Sequence, residues 1–201
     1  MSVFTNPASA SKEHAEAYIR AVLDLLGERD PLAVLRDTAA ALRERTRGLS
    51  EAELSEREAP GKWSVRHVLR HMADSELVWA WRLRQILAAD RPTLGGYDQD
   101  AWADRLGYAD ADPSESLDEF EAVRRSNLRL LEAAAPEDLD RVGVHVERGD
   151  ESLRHQTRLY AGHDLLHLRQ LDRIGATVGA RRGPGGVGHA GPAAGGRRED
   201  A

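Results

Sequence analysis

The chain of 201 residues contains no cysteine. That excludes disulfides, thiolate metal sites, iron–sulfur clusters and a cysteine nucleophile. It also lacks a basic excess. Its 28 lysines and arginines face 34 aspartates and glutamates, for a net charge of −6. Non-specific nucleic-acid binding needs a positive footprint, so no nucleic-acid partner is expected. No run of eighteen apolar residues occurs, so no membrane span is expected. Residues Met1 to Ser11 offer neither a basic start nor an apolar stretch, which argues against a secretory signal and for a cytoplasmic protein. Lysine is almost absent as well, a bias that fits a GC-rich coding sequence. What remains is an ordinary soluble mixture, 41% hydrophobic and 31% charged, long enough for one domain with a sizeable core.

The chain is expected to divide into a flexible N-terminus (1–11), a helical domain (12–178) and a Gly/Arg-rich tail (179–201). The tail has too little apolar surface to offset its ordering entropy and is expected to be disordered. The domain reads as helices. Lys12 to Leu26 carries Ile19, Val22, Leu23 and Leu26 at helical spacing and stops at Gly27. Asp30-Pro31 is a cap followed by proline at the first helical position. A polar linker, Ser50 to Gly61, precedes a helix capped by Ser64 and running to about Ala89. Asp112-Pro113 and Ser116 to Glu119 are two alternative starts for the next helix. Val142, Val144 and Val146 alternate in one extended piece, too little for a sheet. The last helix opens at Asp150 or Ser152 and ends near Gly175. Arg91 to Asp112 reads as a long loop whose Tyr97, Trp102 and Tyr108 favour a packed lid. The expected fold is all-α, an antiparallel four-helix bundle with a short extra N-terminal helix.

Two histidine pairs, His67/His71 and His163/His167, have i,i+4 spacing and place both rings on one helix face. On the last helix, at about 100° per residue, His167, Ile174 and Tyr160 fall within about 60° of His163. Both histidines therefore sit on the apolar stripe, with Gln156 and Gln170 beside them. Buried polar side chains need partners. A shared metal ion satisfies two neutral imidazoles, with the glutamines orienting them. The alternative is a pair of core histidines bonded to backbone or to each other. On the helix from Ser64 to about Ala89, His71 lies at the stripe's edge, while His67 and Asp74 fall toward solvent. His71 is thus the better third ligand. Arg82 shares that edge, either to hold an anionic substrate or to snorkel to water. His14, His145 and His155 have no partner at useful spacing and read as solvated or locally bonded.

Three blocks then become recognisable: Gly61-Lys62-Trp63-Ser64-Val65, His71-Met72-Ala73-Asp74, and Ala161 to Gln170 with its two histidines. In this order, together with Tyr97-Asp98-Gln99-Asp100-Ala101-Trp102, they resemble the DinB-like family over roughly Ala17 to Ile174. The resemblance implies a DinB-type four-helix bundle, often a homodimer, that binds one divalent metal through His71, His163 and His167. It also implies either a metal-dependent hydrolase or a thiol-dependent S-transferase using a low-molecular-weight thiol of the mycothiol or bacillithiol type. Three imidazoles with an open position suit a catalytic ion, zinc or nickel first, then manganese or iron. Asp98 and Asp100 are candidates for general base or substrate contact, and Arg82 for substrate binding. The expectation is a small-molecule enzyme; the competing expectation is a non-catalytic metal-binding bundle that acts in a stress response by dimerising.

Overall fold

The computed structural model describes residues 12–182 of the chain, with side chains from Ala15 to Gly179. The segment expected to be a flexible N-terminus, the tail beyond Arg182 and the His14 side chain lie outside the described residues. Seven helices and three short strands follow one another: α1 (Lys12–Leu26), α2 (Pro31–Thr46), α3 (Glu51–Leu54), α4 (Val65–Ala88), β1 (Thr93–Leu94), α5 (Gln99–Arg105), α6 (Pro113–Ala133), a 3₁₀ turn (Pro136–Asp140), β2 (Val142–His145), β3 (Gly149–Ser152) and α7 (Leu153–Arg182). Helices α2, α4, α6 and α7 form the four-helix bundle, and α1 lies against α7. No described helix is long and apolar enough to cross a membrane.

The punctuation of the chain explains the boundaries. Gly27 ends α1 in the left-handed region, at φ 57°, where a side chain would be strained. The Asp30 carboxylate accepts from the Leu32 N–H at 3.0 Å, with Pro31 opening α2. Of the two starts for α6, Asp112 is used; it accepts from Ser114 and Glu115 N–H at 2.7 and 2.9 Å. Leu35 and Leu42 on α2 are fully buried, each contributing roughly 1.5–3 kcal/mol relative to exposure.

Four expectations need correction. The linker from Ser50 contains α3, whose Ser50–Glu53 capping box satisfies its first turn. The Arg91–Asp112 stretch is not a plain loop, because it holds β1 and α5, although its Tyr108 is wholly buried, in keeping with the packing expected of its aromatic residues. The extended piece does become a sheet: β1 pairs parallel with β2, Thr93 opposite Val144, and β2 pairs antiparallel with β3, Gly143 opposite Glu151. Its strands come from distant segments, one only two residues long, so no local pattern announces it. Finally, α7 continues through Gly175 and Gly179 to Arg182, past the expected start of the tail. Ile174 and Val178, buried on one face, offset the glycine cost of about 1 kcal/mol each.

The α1–α7 contact depends on Gly162. A Cβ there would collide with the Val22 backbone carbonyl. Gly162→Ala should therefore lift α1 from α7 and cost about 1–3 kcal/mol. Urea unfolding checks this, and a stability equal to the parent would show that α1 yields freely.

Candidate metal centre

His71 stands on the buried side of α4, one residue before Met72 and facing α7. His163 and His167 stand one turn apart on α7. His71 and His167 are 1% and 2% exposed, and the His163 side chain 12%. One ring nitrogen from each can be chosen so that all three lie within 4.8 Å of one another. The Nε2 atoms of His71 and His163 are 3.1 Å apart. Three nitrogens about 2.05 Å from a tetrahedral ion would sit about 3.3 Å apart, so this pair is already at ligand spacing.

The surroundings keep the His71 and His167 rings in the ligand form. Burial, reinforced by the neighbouring His167 and His163, holds His71 well below the ordinary imidazole range. Burial, then His163, lowers His167 to about 3. The His167 Nδ1–H donates to Gln170 Oε1 at 2.9 Å, which turns its Nε2 lone pair toward the other rings. Trp63 stands 4.7 Å from the His71 ring and stacks on His167 at 17° between planes, walling the cluster from water. Two facing Nε2 atoms can share only one proton, and buried Nδ1 of both His71 and His163 has no hydrogen-bond partner among the described residues. A divalent ion would take the three lone pairs at once. The donor set therefore fits the ion.

The residues expected around this centre divide sharply. His67 and Asp74 are buried, not solvated. Ser64, at the cap position of α4, makes no capping bond with its side chain; its hydroxyl pairs with His67 Nδ1 at 2.8 Å. Asp74 accepts from the Tyr108 hydroxyl and from Arg70, both at 2.5 Å. The helical wheel misplaces Asp74 because Tyr108 packs on that flank of α4. Gln170 orients a histidine, whereas Gln156 is hydrogen-bonded to Glu151 instead. Asp98 caps α5, accepting from Asp100 and Ala101 N–H at 3.0 and 2.9 Å. Asp100 is half-buried, and burial raises its carboxyl. Neither lines the cavity beside the histidines; the same segment contributes Tyr97 and Gln99.

That cavity, with room for about 60 Å³, opens beside His71 and His163 and reaches Ser75, Arg82, Tyr97 and Tyr160. The Ser75 and Tyr97 hydroxyls are 2.7 Å apart. Ser75 and Tyr160 were legible as neighbours, one turn from His71 and His163 respectively. Tyr18 of α1 and Arg148 of the β2–β3 turn also line it, with no signal in their local sequence. His145, expected to be solvated or locally bonded, is buried at 2% exposure and locally bonded. Its Nδ1 accepts from Glu147 N–H at 3.2 Å, and burial, then Arg148 and Arg82, lowers it to about 3.

These shifts set a pH dependence. In the unfolded chain the histidines protonate near 6.5, but folded His145 and His167 resist until about 3. The unfolded state binds more protons between those limits, so stability is intact above pH 6.5 and is lost as pH falls through that window. The metal-free protein should lose about 1.4 kcal/mol per pH unit for each such histidine. Urea unfolding at pH 7 and pH 5 checks this, and equal stabilities would contradict neutral burial.

A helix bundle whose core carries three converging imidazoles defines a class of α-helical proteins able to hold a metal ion between helices. The particular family follows from comparison: residues 35–171 match the family model of the DinB superfamily, and the chain belongs to that superfamily. A protein of Oceanobacillus iheyensis, provisionally named a metal-dependent hydrolase, is 28% identical over 140 residues, 70% of this chain and 81% of that one. YfiT of Bacillus subtilis, named in the same way, is 25% identical over 149 residues, 74% and 84% of the two chains. The solved structure of YfiT, described as a four-helix bundle of unusual topology, superposes with a TM-score of 0.69 at 23% identity, covering 87% of this chain and 93% of that one.

Proposed function

We propose that this protein is a metal-dependent hydrolase acting on a small molecule, with one divalent ion, zinc or nickel first, held by His71, His163 and His167. The observation that carries the reading is the cavity beside the histidines. A structural or purely regulatory metal needs no such cavity, and structural sites are closed by a fourth protein ligand. Here the open side faces Ser75, Tyr97 and Arg82, and no fourth histidine or carboxylate joins the cluster among the described residues. The names of the relatives agree. The ion, when bound, supplies Lewis acidity. The chain's own residues hold it, exclude water on the Trp63 side, and present the Ser75 and Tyr97 hydroxyls as neutral hydrogen-bonding groups. Burial raises the Tyr97 phenol, which keeps it protonated.

The test is metal analysis of protein grown with zinc, nickel, manganese and iron, followed by turnover of an ester and amide panel with and without added thiol. One ion per chain and thiol-independent turnover is the expected result. Turnover only with thiol would replace the hydrolase by an S-transferase, and no stoichiometric metal would sink both. The reading takes the protein to work in the cytoplasm as a homodimer. Leu77 and Trp81, one turn apart on α4, are 57% and 63% exposed and suit a self-complementary face. Light scattering should give a dimer, and Trp81→Glu a monomer; a monomeric parent would remove this part of the proposal.

A further inference from the structure

The far end of the cavity is positively charged. Arg82 lies on α4 three turns beyond His71, about 16 Å along the helix axis, and long helical side chains lean back toward the N-terminus, here toward the histidines. It is only 4% exposed, yet its partners are neutral oxygens. Nη1 donates to the Tyr160 hydroxyl at 3.2 Å and Nη2 to the Gly95 carbonyl at 2.5 Å. Its Nε has no hydrogen-bond partner among the described residues. The second guanidinium on the wall, Arg148, has its Nε and Nη2 taken by the buried Glu151, at 2.5 and 2.9 Å. Two cations thus face one carboxylate, and the uncompensated charge is that of Arg82. A buried cation without a counter-ion is costly. The fold keeps it where a ligand can reach it.

We propose that Arg82 is the anchor for an anionic end of the substrate: the cavity takes a small carboxylate or phosphate, its oxyanion on Arg82 and its reacting group at the three histidines. This rests on the proposed function for the histidine end only. Tyr160 links the two ends, since its hydroxyl accepts from Arg82 and its ring centroid is 6.0 Å from that of His163. One tyrosine ring therefore spans the distance, which limits the substrate to a compact molecule. Burial raises the Tyr160 and Tyr97 phenols, so both stay neutral donors that add to the anion's coordination. His145, close enough to feel Arg82 and Arg148, remains neutral and adds no competing charge.

The experiment titrates inorganic phosphate, acetate and acetamide into metal-free and zinc-loaded full-length protein. The readouts are calorimetry and the NMR signal of the Arg82 Nε–H. Phosphate or acetate should bind in both forms and shift that signal, whereas acetamide, the neutral isostere, should not. The stronger anion tells a phosphate site from a carboxylate site. Arg82→Gln should weaken anion binding about tenfold or more, Arg82→Lys should recover part of it, and both should retain zinc. Anion binding unchanged in Arg82→Gln with zinc retained would overturn the anchor and leave the metal reading standing. No zinc, but anion binding that depends on Arg82, would do the reverse. No anion binding by the parent protein would also overturn the anchor. Should Arg82→Gln fail to fold, the parent's Arg82 signal and the Lys variant decide.

Discussion

His163→Ala should abolish stoichiometric binding of a divalent ion, while His67→Ala should retain it. The two residues belong to pairs of identical i,i+4 spacing, so spacing alone cannot tell them apart. Their surroundings do. His163 points its Nε2 at His71 across the α4–α7 interface. His67 is held by Ser64 within its own turn and does not join the cluster. His71→Ala and His167→Ala should weaken binding as severely as His163→Ala, because with two ligands left the site loses its link between helices or half of its α7 pair. In the parent protein the ion should raise the melting temperature in proportion to the logarithm of its free concentration, and the His163 variant should lose that response. Calorimetric titration with zinc, alongside thermal scans, measures both. A His67 variant that loses metal while the His71 variant keeps it would reverse the ligand assignment.

Arg124→Ala should be the most damaging single substitution for stability, costing about 3–5 kcal/mol. Arg124 reaches from α6 into the bundle, its side chain 3% exposed, and meets Glu76 of α4 and Asp164 of α7, each 1% exposed. Its Nη1 donates to Asp164 Oδ2 at 2.6 Å and to the Leu35 carbonyl at 2.9 Å; its Nη2 donates to Glu76 Oε2 at 2.8 Å. The Phe120 ring lies 4.6 Å beneath the guanidinium. One residue thus ties all four bundle helices. Removing it strands two carboxylates in the core. Burial pushes the Asp164 carboxyl up, and Arg124 outweighs that, holding it below its usual range. Without Arg124, Asp164 must protonate or unfold the core, and Glu76 keeps only its hydrogen bond from Asn127. Since domains have only about 5–15 kcal/mol in total, such a loss is a large fraction of the whole. Urea unfolding of the metal-free variant measures it without interference from the ion. Adding Glu76→Gln and Asp164→Asn should recover much of the loss, since the stranded charge is the cause; no recovery would place the damage in packing instead.

The two sites differ in how far the sequence discloses them. His163 and His167 lie at the centre of an apolar stripe, where a polar residue stands out against its neighbours. Ligands on a regular helix are legible for that reason. Arg124, Glu76 and Asp164 stand in ordinary charged surroundings, Glu-Ala-Val-Arg-Arg and Asp-Ser-Glu among them. On one helix such residues read as a solvated face, and only the assembled bundle shows that they share one interior point. The same reason hides His67 and Asp74: α4 is covered along much of its length, so one apolar stripe underestimates how much of it is buried. Arg148, Glu151 and His145 gather through a sheet of non-local pairings, which helical periodicity does not register.

The distance along the chain between His71 and His163, 92 residues, has a kinetic consequence. Closing so long a loop is entropically slow compared with forming local helices. An α4–α6 hairpin can assemble early, but no metal centre exists until α7 docks. The ion therefore recognises only the finished bundle. Such late-forming interactions act on the escape from the native state rather than on its formation. Loading with metal should slow unfolding while leaving the folding rate nearly unchanged, so that the ion works as a latch that engages after the door has closed.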